Sequence, residues 1–221
     1  LLGFARGGKY QAEPTDANEL LLRTTTMFAR TRKQLEVHTT AAEGLWSVTV
    51  DRTQIEQVLL NLLVNAWQAM PGGGELFVET RNVELDVEDV RALGIEPGRY
   101  VRISVRDTGV GMDEQTLSRV FEPFFTTRDK GRGTGLGMAS SYGIVRNHGG
   151  MITAESQPGR GTTFDILLPA SDASVRREPA SGTTLESGSG TVLVIDDEAT
   201  VRTLVARLLE RLGYRVSKAS S

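Results

Sequence analysis

The chain has 221 residues, 39% of them hydrophobic, with a formal net charge of −3 and no cysteine. That length suggests one or two domains, and the apolar content supports a sizeable core. The charge offers no basic field for a nucleic-acid backbone, and the missing thiols exclude disulfides and thiolate metal sites. No stretch reaches the roughly 18 apolar residues of a spanning helix, and no signal peptide is visible. A cytoplasmic, reducing setting is therefore the expectation for this chain, with membrane anchoring of a longer parent left open. The chain begins at Leu1 and ends on SKASS just after an apparent strand, so it reads as a piece of something longer.

Residues 1–10, LLGFARGGKY, look like the tail of an apolar-faced helix stopped at Gly7-Gly8. QAEPTDAN is a turn in which Asp16 or Asn18 can cap a helix over about 18–34. LEVHT and WSVTV alternate as two short strands around the turn AAEG, with His38 on the first as an exposed strand position. Asp51 or Thr53 then caps the helix QIEQVLLNLLVNAWQAM. Ile55, Val58, Leu59, Leu62, Leu63, Ala66 and Met70 share one face of it at helical spacing. Gln54, Gln57, Asn61, Asn65 and Gln68 form a polar stripe beside that face, with Asn61 and Asn65 one turn apart. The stripe is either a solvated edge or a source of the hard oxygen ligands that Mg²⁺ takes alongside water and phosphate.

Pro71-Gly72-Gly73-Gly74 breaks that helix, ELFVETRNVEL reads as a strand, and DVEDVRALGIEPGR as an acidic connector. YVRISVRDTG alternates cleanly and delivers Asp107 to a strand end. A short helix over 113–121 has Asp113 as its cap. Glycines recur at 109, 111, 131, 133, 135 and 137, the last of them leading into a helix over 136–147. The run is either a flexible loop or a phosphate cradle at a helix N-terminus, where exposed N–H groups collect an anion. It contains no GxxxxGK[ST], and no strand leads straight into it, so neither a P-loop nor a dinucleotide fingerprint is present. His148-Gly149-Gly150 ends the helix, and His148 reads as a C-terminal residue near the negative end of the dipole. MITAESQ, PGRGT and TTFDILLP make a hairpin.

The sequence-based order is strand pair, helix, strands, helix, hairpin: an α+β layer of mixed sheet with helices on one face. Residues 171–190 are Ser-, Gly- and Pro-rich and read as a flexible linker. TVLVIDDE, ATVRTLVARLLERLG and YRVSKA then give strand, helix and strand. Acids at the C-terminal end of the first of these strands, Asp196 and Asp197, are either a chance acidic turn or a metal site of an open α/β sheet.

These motifs, taken together, resemble those of two-component histidine kinases. QIEQVLLNLLVNAWQAM resembles the N box, DTGVGM the first glycine box, FEPFFTT the aromatic box, GRGTGLGM the second glycine box and GRGTTF the closing glycine motif. Their order and spacing match over about residues 51–170, and 191–221 resemble the start of a flavodoxin-like receiver domain. The resemblance implies a hybrid histidine kinase whose ATP-binding domain, a two-layer α/β sandwich, is shared with gyrase, the heat-shock chaperone and mismatch-repair ATPases. It divides the chain into the end of a dimerisation and phosphoacceptor region with its connecting helix (1–34), the ATP-binding domain (35–170), a linker (171–190) and a truncated receiver (191–221).

Carried over by motif position, the resemblance implies ATP and Mg²⁺ as cofactors. Asn65 would ligate Mg²⁺, with Asn61 beside the phosphates. Asp107 would accept from the adenine amino group in a pocket shaped by Gly109 and Gly111 and supported by Thr162. Thr126, Thr127 and Arg128 would belong to a lid over the nucleotide. Gly133, Thr134, Gly135, Leu136 and Gly137 would line the phosphates, and Asp196 and Asp197 would hold a receiver Mg²⁺. Gln68 stands where many members carry a basic residue, so Arg128 would supply that charge instead. No catalytic side chain is assigned here: the family's phosphoaccepting histidine would lie upstream of Leu1 and the receiver's acceptor aspartate beyond Ser221. Partners would be the parent's phosphoacceptor helix and receiver, in a homodimer formed through the upstream helices.

A conformational ATPase of the gyrase and chaperone type is the competing function. It needs a carboxylate to activate water one turn before the metal asparagine. Asn61 occupies that position, and Glu56 lies more than a turn further back, off the polar stripe. A nucleotide-binding module that needs a partner acceptor is the third reading.

Overall fold

The computed structural model describes residues 10–91, 93–127, 134–173, 188–195 and 199–219. The chain divides into two units, 1–176 and 177–221. In the first, the strands are β1 (Glu13–Thr15), β2 (Leu35–Thr40), β3 (Ser47–Val50), β4 (Gly74–Leu85), β5 (Gly98–Asp107), β6 (Met151–Gln157) and β7 (Gly161–Ser171). They form one sheet in the order β1-β3-β7-β5-β4-β2, with β6 also paired to β7. Only β2 with β4 is parallel; the other pairs are antiparallel, so the sheet is mixed.

The helices of this unit are α1 (Ala17–Thr31), α2 (Arg52–Ala69), α3 (Val87–Arg91), α4 (Glu114–Arg119) and α5 (Gly137–Asn147). Helix α2 packs against α1, α5 and the sheet strands β5 and β7. Its apolar stripe is the centre of the core: Ile55, Val58, Leu59, Leu62 and Leu63 are all essentially inaccessible. Each such side chain contributes about 1.5–3 kcal/mol through burial. They meet Leu76, Val101, Ile103 and Ile166 of the sheet in the same cluster. The helical stripe at 55–70 and the hairpin at 151–171 lie where their periodicities put them.

Other expectations change. The strands around AAEG are not a pair: β2 lies at one edge of the sheet, beside β4, while β3 sits between β1 and β7 near the other. A four-residue turn signal between two alternating runs suggests a hairpin, but here each run finds a longer partner elsewhere. Part of QAEPTDAN is a strand, β1, which pairs with β3. The acidic connector contains the single-turn helix α3, whose N–H groups at 88 and 89 are bonded by the Asp86 carboxylate. Residues 1–9 and 174–187, the sites of the expected helix tail and most of the linker, lie outside the described residues.

The second unit contains β8 (Thr191–Ile195), α6 (Ala199–Arg211) and β9 (Arg215–Ala219). The two strands pair in parallel across the helix, a βαβ unit. Asp196 and Asp197 fall outside the described residues.

Candidate functional site

Helices α2 and α5 are fastened at their opposite ends. Asp51 caps α2 by accepting from the Gln54 N–H at 3.1 Å. The backbone N–H of Asp51 in turn donates to Nε2 of His148, the C-cap of α5, at 3.0 Å. Nε2 is therefore the acceptor, and the ring proton sits on Nδ1, 2.8 Å from the Ile144 carbonyl. His148 is a buried strut between the two helices, and both of its nitrogens are committed.

With the end of α5 tied to the start of α2, the start of α5 lies beside the C-terminal half of α2. There the Asn61 amide Nδ2 donates to the Gly137 carbonyl and to Ser141 Oγ, each at 3.1 Å. Ser141 Oγ donates back to the Gly137 carbonyl at 2.9 Å. The first turn of α5 is thus pinned by a closed three-group network. Its N-cap residue, Leu136, supplies no side-chain acceptor. A helix start leaves its first N–H groups without intrahelical partners and carries partial positive charge, so an anion is what this end lacks.

Between these helices and the ends of β5 and β7 lies a cavity of about 410 Å³. Asn61, Asn65 and Gln68 of α2 line one side; Thr126, Thr127, Thr134, Gly135 and Gly137 line another. Asp107, Gly111 and Thr162 close the far end. Of the remaining expected residues, Gly109 is not in the lining but packs on α2, where a Cβ would come within 2.6 Å of the Ala69 carbonyl. Leu136 is exposed at the start of α5. Arg128 and Gly133 lie outside the described residues.

At the far end the register of the sheet makes the site. Arg106 of β5 stands opposite Thr163 of β7, so Asp107 and Thr162 meet where β5 ends and β7 begins. Asp107 is 3% exposed. Its Oδ1 accepts from the N–H of Gly109 at 2.8 Å and of Thr162 at 3.3 Å. Burial pushes its carboxyl pKa up, and the two N–H bonds only partly oppose this. Gly111 has φ +66, and any Cβ there would run into the Gln157 carbonyl.

Sequence reasoning missed several contributors. Ser156 Oγ lies 2.9 Å from both the Gly161 carbonyl and Thr162 Oγ1, and it accepts from the Met112 N–H at 2.8 Å. It locks the turn under the buried carboxylate, and nothing in a lone serine on an alternating strand announces this. Ser141 is likewise invisible until α2 is placed against α5. The apolar wall Val64 follows from neither motif nor period, while Met112 and Phe164, the last residues of DTGVGM and GRGTTF, had no expected role as walls. Phe124 has φ +66 and donates its N–H to the Gly135 carbonyl at 3.0 Å, joining 124 to 135.

The arrangement is a cleft with a buried hydrogen-bond acceptor at one end and an uncapped helix start plus amide oxygens at the other. Such a cleft suits a ligand with a flat polar heterocycle and a polyanionic tail.

Comparison with known proteins gives the same direction. The family described as "Histidine kinase-, DNA gyrase B-, and HSP90-like ATPase" matches residues 50–172. The sensor kinase CckA of Brucella abortus is 39% identical over 232 residues, covering 100% of this chain but 25% of its own length. Among solved structures, the catalytic domain of histidine kinase ThkA superposes with a TM-score of 0.60 at 27% identity, covering 72% of this chain and 96% of that one. Full-length ShkA in complex with AMPPNP superposes with a TM-score of 0.58 at 25% identity, covering 96% of this chain and 41% of that one. The chain thus spans about a quarter of the length of the curated relative it matches throughout.

Proposed function

The chain belongs to the histidine kinase-, DNA gyrase B- and HSP90-like ATPase family, and from that premise we propose that it is the ATP-binding catalytic domain of a sensor histidine kinase. The uncapped start of α5, facing across the cleft toward buried Asp107, carries this reading. Asp107 accepts from the adenine amino group. The N–H groups at the start of α5 and the 134–137 backbone hold the phosphates. Amide oxygens of α2, that of Asn65 foremost, are the hard donors that Mg²⁺ takes, and when bound this ion neutralises charge along the phosphates. With little covalent chemistry to do, the protein contributes position and N–H donors.

The γ-phosphoryl passes to an imidazole nitrogen of the parent's phosphoacceptor helix, leaving ADP, and from there to a receiver aspartate. Neither histidine of this chain fits the acceptor role. His148 is buried with both nitrogens bonded, and His38 sits on the edge strand β2, away from the cavity lining. The conformational-ATPase alternative is disfavoured by Asn61: its Nδ2 is spent on α5, and it carries no carboxylate to take a proton from water. Glu56 is not among the residues that line the cavity.

The second unit is the start of a receiver domain in this reading, supported by its parallel βαβ order. Leu193 and Ile195 of β8 are 58% and 59% exposed, apolar surface of the kind that further receiver elements would cover. Dimerisation and a response-regulator partner follow as proposals for the parent. Among the described residues no helix is long and apolar enough to cross a membrane.

Titration calorimetry tests the site. Asn65→Ala should weaken ATP at least about tenfold with Mg²⁺ present and much less without it, by loss of an oxygen ligand. Equal loss in both conditions would remove Asn65 from the metal. Incubation with γ-labelled ATP tests the reaction. Acid-labile, alkali-stable label should appear on an added protein carrying the parent's upstream helices and not on this chain. Label on the chain itself, lost in His38→Ala or His148→Ala, would overturn the assignment.

A further inference from the structure

The sheet face opposite the helices carries a group of ligating side chains that the nucleotide chemistry does not use. Glu36 and His38 are two residues apart on β2, so their side chains leave the same face. Parallel pairing with β4 sets Glu36 opposite Glu75 and His38 opposite Phe77. Nε2 of His38 lies 3.3 Å from Oε1 of Glu75 and 3.7 Å from Oε1 of Glu36. Ligand atoms of the three residues fall within 4.8 Å of one another. Nε2 is shielded from solvent yet makes no hydrogen bond. Two carboxylate oxygens lie near it without a well-aligned hydrogen bond to either, an arrangement that a shared cation would draw together. The imidazole stacks on Phe77 with ring centroids 4.7 Å apart and 16° between planes. The Arg106 guanidinium packs on that same phenyl ring at 4.3 Å. The nitrogen is therefore held in position rather than swinging on the surface.

We propose that Glu36, His38 and Glu75 bind one divalent transition-metal ion of the zinc type. One imidazole nitrogen with two carboxylate oxygens is a donor set that Zn²⁺ accepts readily, whereas Mg²⁺ and Ca²⁺ favour oxygen alone. Three protein ligands leave the fourth tetrahedral position to water. The two glutamate side chains are 72% and 51% exposed, so they can rotate onto the ion while the stacked imidazole stays fixed. The site is distinct from the nucleotide cavity, whose lining includes none of the three. It is joined to that cavity through backbone: the Glu75 N–H donates to Thr108 Oγ1 at 3.0 Å, and the Glu75 carbonyl accepts from the Thr108 N–H at 3.2 Å, next to Asp107.

Because the sequence contains two histidines, an NMR titration of the nucleotide-free chain with zinc chloride reads the site directly and carries its own control. The ring signals of His38 should shift and saturate at one equivalent, while those of His148, hydrogen-bonded at both nitrogens, stay in place. Glu36→Gln and Glu75→Gln, which keep side-chain size, should each weaken zinc on the order of tenfold or more. Magnesium chloride at the same concentration should leave His38 unmoved. The proposal is overturned if His38 responds to pH alone and not to zinc, or if magnesium moves it equally. It is also overturned if the Glu36→Gln/Glu75→Gln double variant binds zinc as the parent chain does, which would mean a lone imidazole.

Discussion

The two ends of the cavity are made of different backbone. The Asp107 end is set by strands: β5 ends where its antiparallel neighbour β7 begins, and Gly109, Thr162 and Ser156 bond the turn beneath the carboxylate. The groups at this end are bonded to one another through the protein's own backbone and side chains. The other end is set by helix placement. Asn61 and Ser141 hold the start of α5, but its N–H groups have no capping side chain. In the proposed function, a strand end already bonded to its neighbours would select a base by shape and acceptor pattern. A helix end left uncapped gains most when an anion supplies the missing partner.

The strongest way to break this contrast is Asp107→Asn. An amide in place of the carboxylate presents a donor where the adenine amino group also donates. ATP affinity should fall roughly 5- to 150-fold, as expected for about 1–3 kcal/mol of unmatched buried polarity, while GTP, whose base offers an oxygen there, should gain. Calorimetry with both nucleotides reads this, and unchanged preference would show that the carboxylate does not touch the base.

Asn61→Ala sharpens the contrast from the opposite side. It removes both amide bonds to α5 but leaves Ser141 bonded to the Gly137 carbonyl. ATP should bind roughly two- to tenfold more weakly, on the scale of about 1 kcal/mol per network bond, while adenosine, which lacks phosphates, should bind as before. Adding Ser141→Ala should cost less than its effect alone, since the two share one network. Equal losses for ATP and adenosine would make Asn61 a general support of the fold.

A smaller effect separates the ends by pH. Asp107 has a folded-state pKa above the ordinary 3.8 because burial disfavours its charge. Its ionised form therefore costs the fold something: this group's contribution to stability rises as pH falls through the raised folded value, and is lost again as pH climbs back through it. Base binding has the opposite sign, since the adenine amino group needs the carboxylate. Adenosine affinity should fall on acidification at a pH above 3.8, and Asp107→Asn should abolish that dependence. A pH-independent adenosine affinity down to that value would contradict the burial effect.

Much of this was legible from local pattern. The seven apolar positions from Ile55 to Met70 repeat at helical spacing, and all are buried. Alternation placed Asp107 at the end of a strand, and the glycines at 135 and 137 lie where a loop meets a helix. Periodicity and caps are properties of a short window, so a sequence carries them unaided. The resemblance to histidine kinases rests on the same windows in the same order.

Partner choice is not local, and tertiary structure decided it. The runs LEVHT and WSVTV both read as strands, yet which edge each would join depended on β4 and β7, tens of residues away. His148 looked like a helix-end residue; only the approach of α2 turned it into a strut with a fixed ring proton. Ser141 and Ser156 acquired their roles the same way, and so did the Glu36, His38 and Glu75 group, which exists because a parallel pairing sets one strand's register against another. A side chain's spacing along the chain follows from its own segment, but the groups it meets follow from which other segments bury the same apolar surface.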